Sequence, residues 1–226
     1  MKWEALAPAA LLLLITGCNQ MPGVPKPGPE IPRPDAITDF AKLYGENCAG
    51  CHGHDGQNGA AFDLANPVYQ SWVDDATLHK IISGGEPGTQ MPAFGQAAGG
   101  FLTDAQIDAL VHGMRSAWQK QGALSGMPPP YAAAAAGDGA HGQATYQAAC
   151  ARCHEQENGK VTDPTYLALV NDQTLRTIIV AGRPDIAHPN WQGDIAGRPL
   201  TEQEVADIVA WLGSLRVATP GQPYAH

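Results

Sequence analysis

The pentapeptide Cys48-Ala-Gly-Cys-His52 (CAGCH) returns later in the chain as Cys150-Ala-Arg-Cys-His154 (CARCH). The repeat runs well beyond these five residues. Tyr44 and Tyr146 each lie four residues before the first cysteine of their motif. Downstream, "IISGGEPGTQMPAFG" (Ile81 to Gly95) lies on "IIVAGRPDIAHPNWQ" (Ile178 to Gln192) without a gap, which sets Met91-Pro92 against His188-Pro189. Counting back from that match, Pro67 falls on Pro164, Tyr69 on Tyr166 and Thr77-Leu78 on Thr174-Leu175. The first copy carries five extra residues in "GHDGQNGAAFDLAN", a loop insertion. Further on, "LTDAQIDALVHGM" (Leu102 to Met114) matches "LTEQEVADIVAWL" (Leu200 to Leu212).

The last matched segments predict helices. Both begin with a capping-box pattern, Thr103 with Gln106 and Thr201 with Glu204. Ile107, Leu110, Val111 and Met114 share one helical face, as do Val205, Ile208, Val209 and Leu212. The 26 glycines and 19 prolines punctuate a chain of short helices and long loops, and alternating strand-like runs are scarce. Each half reads as helix, C-x-x-C-H, loop with Pro, short helix, Gly-rich loop, terminal helix. The expected fold class is all-α, with two small cores that are marginal without a staple.

The C-x-x-C-H motif supplies that staple, because it is the attachment motif of c-type haem. Two thiols must reach the two vinyl groups on one edge of a porphyrin, and the adjoining histidine must lie under the iron. The motif predicts covalent attachment at Cys48 and Cys51, and at Cys150 and Cys153, with His52 and His154 on the metals. A four-sulfur zinc site is the main competitor, but it would have to join the halves across a flexible linker. A disulfide within each motif would leave both histidines unexplained.

With these residues in hand, the chain resembles a tandem pair of class I cytochrome c domains. The stretch "LYGENCAGCHGHDGQNGA" is similar to the small-cytochrome family that includes the third subunit of cbb3-type oxidases, and a cytochrome of the c4 kind has the same two-domain plan. The resemblance covers residues 38–120 and 140–216. It implies two covalently bound haem c groups, with His52 and Met91 as the axial pair of the first. The alternative for Met91 is core filler, but its Gly-rich loop is no helical core stripe. After Met127 the second half has no methionine, so His188, in the Met91 position and likewise followed by proline, is expected to pair with His154. The alternative is a surface histidine beside an iron with an open face. The resemblance also implies a proline carbonyl that accepts the proximal histidine N–H, with Pro67 and Pro164 as candidates. Trp72, Trp191 and the paired tyrosines are expected to pack on haem, Trp118 and Trp211 to be structural, and His54, His79, His112, His141 and His226 to be solvated.

The N-terminus reads as an export signal. Met1-Lys2 precedes an apolar run from Ala5 to Ile15, too short to span a bilayer comfortably. Its ending "LITGC" resembles the lipobox of bacterial lipoproteins, which implies cleavage before Cys18 and a lipid on that residue; a plain secretory signal is the alternative. Residues 19–35 carry six prolines and predict an extended stalk. The expected division is signal 1–17, lipidated Cys18 and stalk 18–35, N-terminal domain 36–122, Pro/Ala-rich linker 123–137, C-terminal domain 138–218 and tail 219–226.

The formal net charge is −9 with 15% charged residues, which excludes the basic footprint of a nucleic-acid binder and suits docking on a basic protein patch. The expected function is a lipid-tethered, periplasm-facing electron carrier of the bacterial cell envelope. Its expected partners are redox proteins in a membrane respiratory or photosynthetic complex, and the membrane surface. Two alternatives stay open: a diheme redox enzyme, peroxidase-like or sulfur-compound oxidising, and a cytochrome subunit of a larger complex. A redox or gas sensor is a weaker third.

Overall fold

A computed structural model describes residues 28–155 and 161–218. Cys18, with the expected signal, lies outside the described residues, as does the tail. The described residues from Ile37 onward form one compact unit. Among the described residues the fold is all-α, as the hydrophobic periodicity predicts: the only β features are isolated bridges. The N-terminal half contains α1 (Phe40–Asn47), α2 (Ala49–His52), α3 (Pro67–Trp72), α4 (Asp75–Gly84) and α5 (Asp104–Trp118). The C-terminal half repeats them as α6 (Gly139–Ala149), α7 (Ala151–His154), α8 (Pro164–Leu167), α9 (Asp172–Ala181) and α10 (Glu202–Ser214).

Side-chain caps start these helices. Asp39, Asn66, Asp74 and Thr103 accept backbone N–H groups at the starts of α1, α3, α4 and α5. Asp138, Asp163, Asn171 and Thr201 do the same for α6, α8, α9 and α10. Each satisfies orphan donors worth about 1 kcal/mol. Both expected capping boxes form.

The first and last helices of each half pack together, and the repeat solves that contact twice with opposite residues. In the N-terminal half, Phe40 fills the space over Gly113, where an added Cβ would lie 2.2 Å from the Phe40 ring. In the C-terminal half the large residue is on the last helix. Trp211 stacks on Tyr146 with ring centroids 4.5 Å apart, and an added Cβ at Gly142 would come within 1.9 Å of the Asp207 carbonyl oxygen. Gly142 stands where Phe40 stands, and Trp211 where Gly113 does. One large aromatic against one glycine is kept across the pair, so each interface is filled from a single side. Trp118 packs edge-on against Tyr44, with centroids 5.1 Å apart.

The expected apolar faces of α5 and α10 are buried in two separate cores. Ile107, Leu110, Val111 and Met114 join Leu43, Tyr44, Leu78 and Ile82 in one. Val205, Ile208, Val209 and Leu212 join Tyr146, Leu167, Leu175 and Trp191 in the other. Each fully buried aliphatic side chain contributes about 1.5–3 kcal/mol.

The segment 123–137, expected to be flexible, is tied down. Trp72 Nε1 donates to the Pro129 carbonyl at 2.8 Å, and its ring meets Tyr131 at 5.2 Å. Arg176, buried on α9, donates to the Pro130 and Tyr131 carbonyls and pairs with Glu202. Backbone carbonyls in a Pro-rich strand have no ladder partners, so side-chain donors on both halves satisfy them. Trp72, expected on haem, thus fastens this segment. Tyr166 is 41% exposed whereas its repeat mate Tyr69 is buried. His79 is half-buried beside Ser83 and Asp108 rather than free in solvent.

Two glycine substitutions separate backbone propensity from close packing. Gly45→Ala in α1, where an added Cβ meets nothing within 4 Å, is expected to stabilise the protein by about 0.5–1 kcal/mol. Gly142→Ala should destabilise it by about 1–3 kcal/mol through overpacking. Chemical denaturation of the two variants against the parent checks both signs.

Candidate haem sites

Each C-x-x-C-H motif is wound as a single helical turn. Cys48 closes α1 and opens α2, with its N–H on the Tyr44 carbonyl at 2.9 Å and its own carbonyl accepting from His52 N at 3.0 Å. Cys150 does the same between α6 and α7. The turn brings the two thiols of a motif to one side and sets the histidine at its end. Cys48 and Cys150 are half-buried, Cys51 and Cys153 exposed, and all four are free thiols. Burial pushes the Cys48 thiol up to about 11 and the Cys150 thiol up to about 12. That is opposite to a redox dithiol, whose leading thiol is depressed.

The proximal histidine of the first half is oriented by its backbone. His52 Nδ1 lies 2.8 Å from the Phe62 carbonyl oxygen, so Nδ1–H donates there and the Nε2 lone pair is left for a metal. This corrects the expectation for Pro67. That residue instead opens α3 at its first position, where a missing N–H costs nothing and the carbonyl belongs to the helix. Pro164 likewise opens α8, and its carbonyl accepts from Ala168 and Val217. Tyr44 Oη donates to the Gly53 carbonyl at 2.8 Å and fastens the turn after His52. The equivalent Tyr146 hydroxyl is buried with no hydrogen-bond partner among the described residues.

The opposing loops spring from two matched glycines. Gly85 ends α4 with φ +70°, and Gly182 ends α9 with φ +72°. Both conditions for glycine hold at once. An added Cβ at Gly85 would lie 2.7 Å from Ala93 N, and one at Gly182 would lie 2.7 Å from the Pro189 carbonyl oxygen. The loops thus fold back over the helix ends. Glu86 N donates to the Met91 carbonyl at 3.1 Å, and Arg183 and His188 exchange backbone bonds of 3.1 and 2.9 Å. Met91 packs half-buried against the first core. His188 faces His154, with ring centroids 5.7 Å apart and planes 42° from parallel. His188 Nδ1 donates to the Pro189 carbonyl at 2.7 Å, which directs its other nitrogen away from that bond. Burial lowers the pKa of both His52 and His188, which favours the neutral imidazole that ligation requires.

Arg183 lies near both sites. It forms a two-bonded pair with Asp185, 2.8 Å from Nε and 2.6 Å from Nη2. Its positive charge adds to the lowering at His52 and at His188. Two asparagines connect the halves. Asn66 Nδ2 donates to the Ala181 and Gly182 carbonyls at 3.0 Å each. Asn171 Nδ2 donates to Glu86 Oε1 at 2.8 Å and to the Pro87 carbonyl at 2.9 Å.

These donors fit haem and fit neither rival. Among the described residues no three or more His, Cys, Asp or Glu side chains gather as a metal site, which a four-sulfur zinc centre would require. Two imidazoles at the His154–His188 separation can share one ion, since metal–imidazole bonds are about 2 Å. A porphyrin brings the equatorial donors itself, and two thiols on one helical turn are what its attachment needs. Reasoning from side chains missed the Phe62 acceptor, because a backbone carbonyl leaves no mark in a sequence. It also passed over Gly85 and Gly182, although the aligned stretches display them.

The family described as "Cytochrome C oxidase, cbb3-type, subunit III" matches residues 35–112 and 137–212. The chain is 36% identical over 130 residues to the cbb3-type cytochrome c oxidase subunit CcoP of Azospirillum sp. (strain B510), covering 53% of this chain and 39% of that one. It is 29% identical over 190 residues to the subunit FixP of Bradyrhizobium sp. (strain ORS 278), covering 76% of this chain and 59% of that one. The chain therefore spans well under two thirds of these relatives' lengths. Among solved structures it is similar to the KustC0563 c-type cytochrome, with 30% identity, 36% of this chain and 99% of that chain covered, and a TM-score of 0.31.

The hinge glycines carry the prediction for these sites. Gly85→Ala and Gly182→Ala should each cost about 1–3 kcal/mol for a positive-φ, extended-ψ backbone that essentially only glycine adopts, with the Cβ clash in addition. Denaturation should register that loss. The visible spectrum of the haem-loaded variant should shift toward high spin at the affected half only.

Proposed function

Because the chain belongs to the family of cbb3-type cytochrome c oxidase subunit III, matched over both halves, we propose that it is a diheme c-type cytochrome that carries single electrons. Bound haem supplies an iron that cycles between ferrous and ferric states. The thiols of Cys48, Cys51, Cys150 and Cys153 would hold it covalently, His52 and Met91 would ligate one iron, and His154 and His188 the other. The observation that carries this reading is the 5.7 Å facing of the His154 and His188 rings above a second C-x-x-C-H turn. A ligand on each face leaves no position for a substrate, so the chain acts as a conductor rather than a catalyst.

The protein's own contribution is electronic tuning. A thioether favours ferrous iron and raises the potential, whereas imidazole favours ferric iron comparatively. With haem bound, His154 and His188 would make the C-terminal site the lower in potential and set the downhill direction toward the N-terminal site. Domains at 36–122 and 138–218 would each enclose one haem. The net charge of −9 suits a basic docking patch on a redox partner. That partner is a membrane respiratory complex of the cbb3-oxidase kind. Among the described residues no helix is long and apolar enough to cross a membrane. The lipobox-like ending at Cys18 supports a lipid tether on that residue, with residues 18–35 as a stalk that faces the periplasm.

A redox titration of the haem-loaded protein tests the assignment. Two covalent haems per chain, both low-spin and unreactive to carbon monoxide, are expected, with two one-electron waves. His188→Met should raise the lower wave and Met91→His should lower the upper one, each on the order of 0.1 V within the ~0.8 V range that axial ligands and surroundings set. Carbon monoxide binding at rest, or the higher wave assigned to the C-terminal haem, would contradict the reading.

A further inference from the structure

The repeat makes an exchange at two helix caps that capping does not explain. At the start of α3 stands Asn66, and at the matched start of α8 stands Asp163. At the start of α9 stands Asn171, and at the matched start of α4 stands Asp74. All four cap through a side-chain oxygen. Asn66 Oδ1 accepts from Val68 N and Tyr69 N, and Asp163 Oδ1 accepts from Thr165 N and Tyr166 N. Asn171 Oδ1 accepts from Thr174 N and Asp74 Oδ1 from Thr77 N, both at 2.7 Å. Asparagine and aspartate cap about equally well, so the cap alone does not select between them.

What separates them is the second half of the side chain. An amide has two N–H donors that an ionised carboxylate lacks. Both aspartates are exposed. Both asparagines spend their donors across the boundary between the halves, and both reach the root of the other half's ligand loop. Asn66 is fully buried and holds the carbonyls of Ala181 and Gly182, the residues just before the Arg183–His188 backbone pair. Asn171 holds Glu86 and Pro87, and Glu86 N is the group bonded to the Met91 carbonyl.

We propose that Asn66 and Asn171 are a pair of positioning residues that lock each half onto the ligand loop of the other, so that the two haem sites are held at one fixed separation and exchange electrons directly. The inference rests on the reading of both halves as haem sites. With haem bound in both halves, one electron from ferrous iron held at the C-terminal site, left ferric, would reduce ferric iron held at the N-terminal site. No proton or third reactant is needed. The route passes the interface that Asn66 closes. From His52 Nδ1 a hydrogen bond leads to the Phe62 carbonyl. The chain then runs to Asn66, whose amide bonds Gly182, and the Arg183 backbone bonds His188. Loops that define the axial ligands are therefore also the docking surface.

Asn→Asp exchange tests this without disturbing the caps. The full-length, haem-loaded protein is prepared as Asn66→Asp, Asn171→Asp and the double variant, with Asp163→Asn and Asp74→Asn as controls at the same caps off the interface. Each interface variant turns donors into acceptors that face carbonyl or carboxylate oxygen. The double variant should keep both haems. Electron equilibration between them after rapid one-electron injection should slow by about tenfold or more, through the loss of the four hydrogen bonds that the two amides donate, of which the Asn66 pair is buried. The 123–137 segment should become sensitive to limited proteolysis. The two controls should behave as the parent. Parent-like equilibration and protection in the double variant would overturn the proposal, and so would the same slowing in the controls. If the double variant sheds haem, the single variants decide by the same two readouts. Proteolysis reports on docking whether or not haem is present, so a parent protein without two haems would sink the functional reading while the lock is still judged.

Discussion

The structure depends on a reversal of the chain at the end of one helix in each half. Gly85 and Gly182 occupy the left-handed region of backbone space, and the returning loop passes so close that neither tolerates a Cβ. The reversal carries the second loop back so that His188 faces His154, and in the first half it sets Met91 against the core. The second loop is held by two backbone bonds between Arg183 and His188, the first by one backbone bond from Glu86 to Met91 and by the Thr89 hydroxyl, which donates to the Glu86 carbonyl and accepts from Met91 N. Glycine in these places has a price in unfolded-state entropy, offset by the close loop packing that only glycine allows.

Two small cores carry the remaining stability, and neither is independent of the other half. Ala181, at the end of α9, is counted among the residues of the N-terminal core, and Val68 and Trp72 pack against both cores. Trp72 and Arg176, from opposite halves, fasten neighbouring carbonyls of the intervening segment. The proline-rich composition of that segment, which suggests a spacer, has another consequence. Proline lacks an N–H but keeps a carbonyl, so such a strand is a row of acceptors. Donors on both sides then bind it into the interface.

Much of the fold was legible because the repeat doubled every signal. The capping boxes of α5 and α10, the buried faces above them and the two motif turns all stand where periodicity and spacing predict. The facing of His188 with His154 follows from the ungapped match of the two loops. What stayed hidden has a common physical character. The acceptor for His52 is a main-chain carbonyl at Phe62 and not a proline, and no residue type advertises a carbonyl. The large-for-small exchange of Phe40 and Gly113 against Gly142 and Trp211 appears only when two helices are seen in contact. The asparagines at 66 and 171 read as ordinary caps until their second nitrogen contacts are known. Tertiary use of a side chain already employed locally leaves no periodic trace.

The exchange of methionine for histidine can now be given a physical setting. The two halves share a helical motif turn and a glycine reversal, and Met91 and His188 hold matched places in the loops that follow. Histidine also brings its own restraint, since its Nδ1 is bonded to the Pro189 carbonyl, while Met91 relies on packing against the core. A hydrogen-bonded ring is directed by one bond and a thioether by its neighbours' shape, and the two loops reach their tips by different turns, with a left-handed Gly88 in the first and a 3-10 turn Pro184–Ile186 followed by left-handed Ala187 in the second. Arg183 stands by both sites and places a positive charge, partly neutralised by Asp185, near His52 and His188 alike. The same charge thus acts in the same direction on both histidines. The proposed ordering of the two potentials rests on the exchange of Met91 for His188 at matched positions of the repeat.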